Sequence, residues 1–147
     1  MDDPIHFSFD VACGAAHAFA TWTERTAMWW PRDHTMSGSP AAVVIEGHVG
    51  GRIYETTHDG DEHEWGVVTE WRPPEVLGFR WYLGVGADNA TDVGVAFHSV
   101  DADTTRVEIE QTGFERLGER GLELRGRNRA GWEALVPHFR AGIEKGA

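Results

Sequence analysis

Apolar and polar residues recur along this chain in two different periods, and the changes between them divide it into elements. Residues 6–11, HFSFDV, place Phe7, Phe9 and Val11 on one face, the period of two of a half-buried strand. Residues 14–24 change to helical spacing, with Ala15, Ala18, Phe19 and Trp22 in one stripe. A further turn runs through Met28, Trp29 and Trp30 and stops at Pro31, because the residue before a proline avoids helical angles. Residues 32–41, rich in Ser, Gly, Pro and charge, form an exposed loop. The period of two then returns and predicts strands over 42–46, 52–58, 63–71, 75–83, 91–100 and 104–112. Gly50-Gly51, Asp59-Gly60, Pro73-Pro74, the Gly-rich stretch 84–90 and residues 101–103 separate them. Residues 114–125 are polar and Gly-rich and read as a connection. In the last segment, residues 126–145, Trp132, Leu135, Val136, Phe139 and Ile143 fall on one helical stripe, with Arg129, Glu133, Arg140 and Glu144 on the polar side.

Strands joined by tight turns are antiparallel, and their alternation leaves one wet face and one face to be covered. The only element long enough to cover it is the C-terminal helix, which is itself marginal in water until its stripe is buried. The expected architecture is α+β: a curved antiparallel sheet of about seven strands around a long C-terminal helix, with two short helices after the first strand, in a single domain over residues 1–147.

Composition changes this picture in one respect. Seven Trp, seven Phe and two Tyr exceed what a domain of 147 residues needs for packing. They form either a large aromatic core or a cavity walled by rings, where rigid flat side chains hold an apolar or aromatic ligand at little ordering cost. Against 24 Asp+Glu stand 13 Lys+Arg, a net charge of −11, and no basic cluster offers a nucleic-acid or anionic-membrane surface. No signal peptide or membrane span is visible, and the lone Cys13 fits a reducing compartment, so a cytoplasmic location is expected.

By alternation, Ile53 and Glu55 share one face and Tyr54 the other. Either Ile53 points to the helix and brings Glu55 into an aromatic-walled interior, or the strand has the opposite phase and Glu55 meets a surface arginine. In the first case desolvation raises the carboxyl pKa and makes Glu55 a candidate general base or ligand anchor. Trp65, Val67, Thr69 and Trp71 are expected on one face of the facing strand. Trp30, Trp65, Trp81, Phe97 and Trp132, with Ile53, Val67, Val136 and Phe139, are the wall candidates, each of which ordinary core packing explains equally well. Gln111 continues the inward series of Val107 and Ile109 and is the polar candidate of the last strand. Pro137 removes one backbone donor and is expected to bend the helix. The spacing His58-x4-His63 lies on a hairpin tip, where solvation accounts for it; no metal or cofactor motif is present. Cys13 has no charged neighbour to activate it.

Trp29-Trp30-Pro31, Gly50-Gly51-Arg52 with Tyr54-Glu55, Glu62-His63 with Trp65-Gly66-Val67-Val68, Trp71-Arg72-Pro73-Pro74 before Leu77-Gly78-Phe79-Arg80-Trp81, residues 105–110 with Gly113-Phe114, and Gly131-Trp132 with Pro137-His138-Phe139 span almost the whole chain. Together they resemble the SRPBCC superfamily of helix-grip proteins, which includes START lipid carriers, polyketide cyclases and the birch pollen allergen. Within it the chain looks most like the domain named after activators of the heat-shock-protein ATPase. Relatives often carry a histidine on the last strand where Gln111 stands, so hydrogen bonding rather than proton transfer is implied there.

The resemblance implies a binding protein for a small apolar or aromatic metabolite, held between sheet and helix. A polyketide cyclase or dehydratase using Glu55, Tyr54 or Gln111 is the enzymatic alternative. The WWP, GGR-x-YE and EH-x-x-G stretches are also similar to a branch that protects producers from enediyne antibiotics, which makes self-resistance by sequestration another. A module acting on a chaperone partner is the last, weakened because such activators use an additional domain.

Overall fold

A computed structural model of the chain describes residues 4–145. Seven strands are present: β1 (Ile5–Val11), β2 (Ala42–Ile45), β3 (Arg52–Thr56), β4 (Glu62–Arg72), β5 (Val76–Trp81), β6 (Thr91–Asp101) and β7 (Thr104–Thr112). They make one sheet in the order β1-β7-β6-β5-β4-β3-β2, antiparallel at every pairing. Helices α1 (Ala15–Glu24) and α2 (Thr26–Trp29) carry the chain from one sheet edge, β1, to the other, β2, and α3 (Glu119–Lys145) packs on the inner face. This is the α+β helix-grip architecture. None of the described helices is long and apolar enough to cross a membrane.

The inner face follows the alternation of the sequence on most strands. Val93, Val95 and Phe97 of β6, Leu77, Phe79 and Trp81 of β5, and Val107, Ile109 and Gln111 of β7 are all buried. On β4 the alternation breaks twice. The register shifts between Ile53 and Tyr54 against β3 and between Val68 and Glu70 against β5. Each extra residue of a bulge reverses the phase of the strand beyond it. Trp65 is therefore buried, but Val68 and not Val67 is its buried successor. Val67 lies opposite Arg52 and Arg80 and is only half-buried, which corrects its expected place in a pocket wall. The bulge exists because Gly66 permits it: a Cβ there would sit 2.1 Å from the Arg80 carbonyl oxygen.

At its C-terminal half α3 closes tightly on the sheet and on α1–α2. Phe139, fully buried, meets Trp29 at 4.8 Å and Trp22 at 5.2 Å between ring centroids, and Phe19 meets Phe97 at 5.3 Å. Gly142 lies directly under Trp29, where a Cβ would come within 2.7 Å of the tryptophan Cβ. The helix continues through Pro137. Its arginines also cover the exposed edge of the sheet: Arg125, Arg129 and Arg140 donate to the carbonyls of Pro4, His6 and Asp10 along β1. Those carbonyls would otherwise invite another strand.

The N-terminal half of α3 differs from expectation. The helix begins at Glu119 rather than at residue 126, so most of the supposed connection is helical. In the turns before residue 126, Leu124 packs against the core while Leu122 is exposed, so they carry little apolar periodicity.

Candidate functional site

Where α3 draws away from the packed end, a cleft of about 570 Å³ opens. Trp30, Trp81 and Trp132 supply its aromatic walls. The ring of Trp81 lies 5.9 Å from that of Trp30 and 6.2 Å from that of Trp132, so the three indoles form a continuous surface. The other sides come from residues 33–36 of the loop after α2, from Leu83, Gly84 and Val85 after β5, and from Leu124, Arg127, Asn128, Gly131 and Leu135 of α3.

Each indole is placed by an identifiable constraint. Trp30 follows α2 in an extended conformation with Pro31 behind it, and its Nε1 donates to the His34 carbonyl at 2.9 Å, folding the loop back over the ring. Trp132 donates through Nε1 to Gln111 Oε1 at 2.8 Å. Gln111, fully buried, donates in turn to Thr91 Oγ1 at 2.8 Å and to Asn128 Oδ1 at 3.3 Å. The amide thus satisfies its buried polar atoms and fixes Trp132 and Asn128, two residues of the cleft wall. Gly131 has no atom within 4 Å of the place a Cβ would occupy, so the cleft passes directly over the helix backbone.

Glu55 takes the inward phase: it is fully buried beside the similarly inward Ile53. Among the described residues its hydrogen-bond partners are backbone amides, a hydroxyl and an indole rather than an arginine. Its carboxylate accepts the Ser37 hydroxyl at 2.6 Å, the Ser37 amide at 3.1 Å, the Trp65 indole at 2.9 Å and the Met36 amide. Burial alone would raise its pKa, but the Ser37, Met36 and Trp65 donors outweigh that and hold the carboxyl below its ordinary value of 4.5. The expected upward shift is thereby reversed. Glu55 is an ionised clamp that fastens the Met36–Ser37 backbone to the sheet and so sets the position of the 33–36 lip.

Of the other expected residues, Ile53, Trp65, Phe97, Val136 and Phe139 are buried but do not line the cleft. Tyr54 faces the opposite side of the sheet, with the Arg52 guanidinium 4.2 Å from its ring centroid. The loop lip and positions 124, 127, 128 and 135 of α3 were not among the expected wall residues. These α3 positions have helical spacing, but Arg127 and Asn128 among them carry no apolar signal.

A seven-stranded antiparallel sheet gripping a long helix over an aromatic cleft defines a helix-grip protein of the SRPBCC superfamily. The chain belongs to the family described as Activator of Hsp90 ATPase homolog 1-like protein, whose pattern matches residues 12–143. Among solved structures it is similar to CalC of Micromonospora echinospora, described as a self-sacrificing resistance protein. That similarity is 30% identity over 98% of this chain and 96% of that one, with a TM-score of 0.76. It is also similar to Txn09, described as an anthrahydroquino-gama-pyrone synthase, at 32% identity over 82% of each chain and a TM-score of 0.60. CalU16, also of Micromonospora echinospora, shares the fold at 15% identity over 95% of this chain and 75% of that one, with a TM-score of 0.63. No curated protein sequence matches the chain.

Proposed function

We propose that the protein binds a planar aromatic molecule of the polyketide kind in the cleft over Trp30, Trp81 and Trp132. The observation that carries this reading is the cleft itself. Its volume of about 570 Å³ falls within the range of pockets that take small organic ligands, and three indoles line it together with a few polar side chains, among them Asn128 and Arg127. The description of Txn09 as an anthrahydroquino-gama-pyrone synthase supports a ligand of this class, and that of CalC as a resistance protein fits a binding role. Binding rather than turnover is the preferred role. The three residues considered for catalysis are engaged elsewhere: Glu55 in clamping the loop, Gln111 in orienting Trp132, and Tyr54 on the far face.

Titration with 1,8-dihydroxyanthraquinone, followed by calorimetry and tryptophan quenching, tests the assignment. Saturable one-to-one binding is expected. It should weaken about tenfold or more in Gly131→Leu, whose side chain fills the cleft and displaces at least 1.4 kcal/mol of contact, and be unchanged in Val67→Thr on the outer side. Undiminished binding in Gly131→Leu, or no saturable binding by this or other polycyclic phenols, overturns it.

A further inference from the structure

Beside the aromatic cleft lies a second cavity of about 340 Å³, between the first turns of α3 and the stretch around residues 84–89. The two cavities share Gly84, Val85, Leu124 and Arg127, so they adjoin across one wall. The annex has a different chemistry from the cleft: Arg120, Glu123 and Arg127 line it, and no aromatic ring does.

Arg127 belongs to a run of three alternating arginines whose neighbours have structural tasks. Arg125 and Arg129 reach to the β1 carbonyls of Pro4 and His6. Arg127, between them, is turned by the helical twist toward the two cavities, and among the described residues it has no ion pair or hydrogen bond. Arg120, two helical turns earlier on the same face, is likewise unpartnered among the described residues. Glu123 lies one turn before Arg127 but pairs with neither arginine. In a chain of net charge −11, two uncommitted guanidinium groups at the end of an aromatic cleft mark a local reversal of sign.

Resting on the reading of the cleft as an aromatic-ligand site, we infer that the annex is an anion subsite and that the ligand is an aromatic acid. Its rings lie over the three indoles and its carboxylate reaches past Leu124 to Arg127 and Arg120. A guanidinium suits this task because its planar fork takes a carboxylate through two parallel hydrogen bonds. The presence of Glu123 leaves the annex with a single net positive charge, which favours a monoanion over a doubly charged phosphate.

Calorimetry with two isosteric probes tests this: anthraquinone-2-carboxylate and its neutral 2-carboxamide, against the wild-type chain, Arg127→Gln and Arg120→Gln/Arg127→Gln. The carboxylate should bind about five- to tenfold more tightly than the amide at low salt, the size expected of partly solvated charge pairs. The preference, read as carboxylate affinity over amide affinity in the same variant, should shrink as salt is raised, fall in Arg127→Gln and vanish in the double variant. Amide binding as tight as carboxylate binding, or a preference that survives in the double variant, overturns the subsite and leaves the aromatic cleft standing. Failure of both probes to bind overturns the cleft reading and this inference with it.

Discussion

Gly142 and Gly131 lie on the same helix in opposite surroundings. At Gly142 the backbone of α3 is pressed against Trp29 with no room for a methyl group, while at Gly131 the nearest neighbour lies beyond 4 Å. Three helical turns separate the two. Over that distance the gap between helix and sheet changes from a packed aromatic core to an open cleft. The chain's wealth of tryptophan therefore serves both purposes that its composition allowed. Trp22 and Trp29 lock one end together, and Trp30, Trp81 and Trp132 line the other. A protein that must be stable and still keep space for a ligand gains from this division, because the closed end holds the helix firmly enough for the open end to remain unfilled.

The contrast can be broken most severely at the closed end. Phe139→Ala, which removes a fully buried ring packed against Trp22 and Trp29, is expected to cost about 3–5 kcal/mol. Leu124→Ala at the half-buried cleft lip should cost less than about 1 kcal/mol. Urea denaturation of both variants checks the difference.

Next in size is the clamp. Glu55→Gln replaces an ionised acceptor of four donors with an amide that accepts through one oxygen only, at a cost of about 2 kcal/mol near neutral pH. The lowered pKa of Glu55 sets the pH dependence. Below about pH 4.5 the unfolded chain takes up the proton before the folded chain does, so acid withdraws the stabilisation as pH falls through the folded value. The stability gap between wild type and Glu55→Gln should therefore narrow steadily below pH 4.5 and be constant above it. Denaturant midpoints between pH 3 and pH 7 would show this.

The two glycines give the smaller effects and the clearest opposition of sign. Gly142→Ala should destabilise by about 1–2 kcal/mol, since the overlap with Trp29 exceeds the gain in helix propensity. Gly131→Ala should stabilise by about 0.5–1 kcal/mol, since it keeps that gain and meets nothing. Equal effects at the two sites would remove the distinction between a closed and an open end.

The order of elements along the chain and the burial of β1, β5, β6 and β7 were legible because period-two alternation reports directly which side chains face the core. Val67 was misplaced because a bulge consumes a residue without leaving a mark in the hydrophobic pattern; Gly66 was the only trace of it. The inward phase of Glu55 was one of two readings, and nothing in a local window reveals that Met36 and Ser37, eighteen or nineteen residues earlier, supply its donors. Aromatic wall residues were visible by type, but type does not separate Trp132 at the cleft from Trp65 beneath it. The α3 positions 124, 127 and 128 were missed for a physical reason. Arg127 and Asn128 face the cleft rather than the packed core, so they add nothing to the apolar periodicity, and Leu124 stands apart from the stripe that begins at Trp132.

The indole Nε1–H resonances of the seven tryptophans test the division most directly, observed by two-dimensional NMR while 1,8-dihydroxyanthraquinone is added. The ligand should shift the signals of Trp30, Trp81 and Trp132 strongly and leave those of Trp22 and Trp29 in place. Shifts of equal size at Trp22 and Trp29, or a ligand that binds without disturbing the three cleft indoles, would contradict the account.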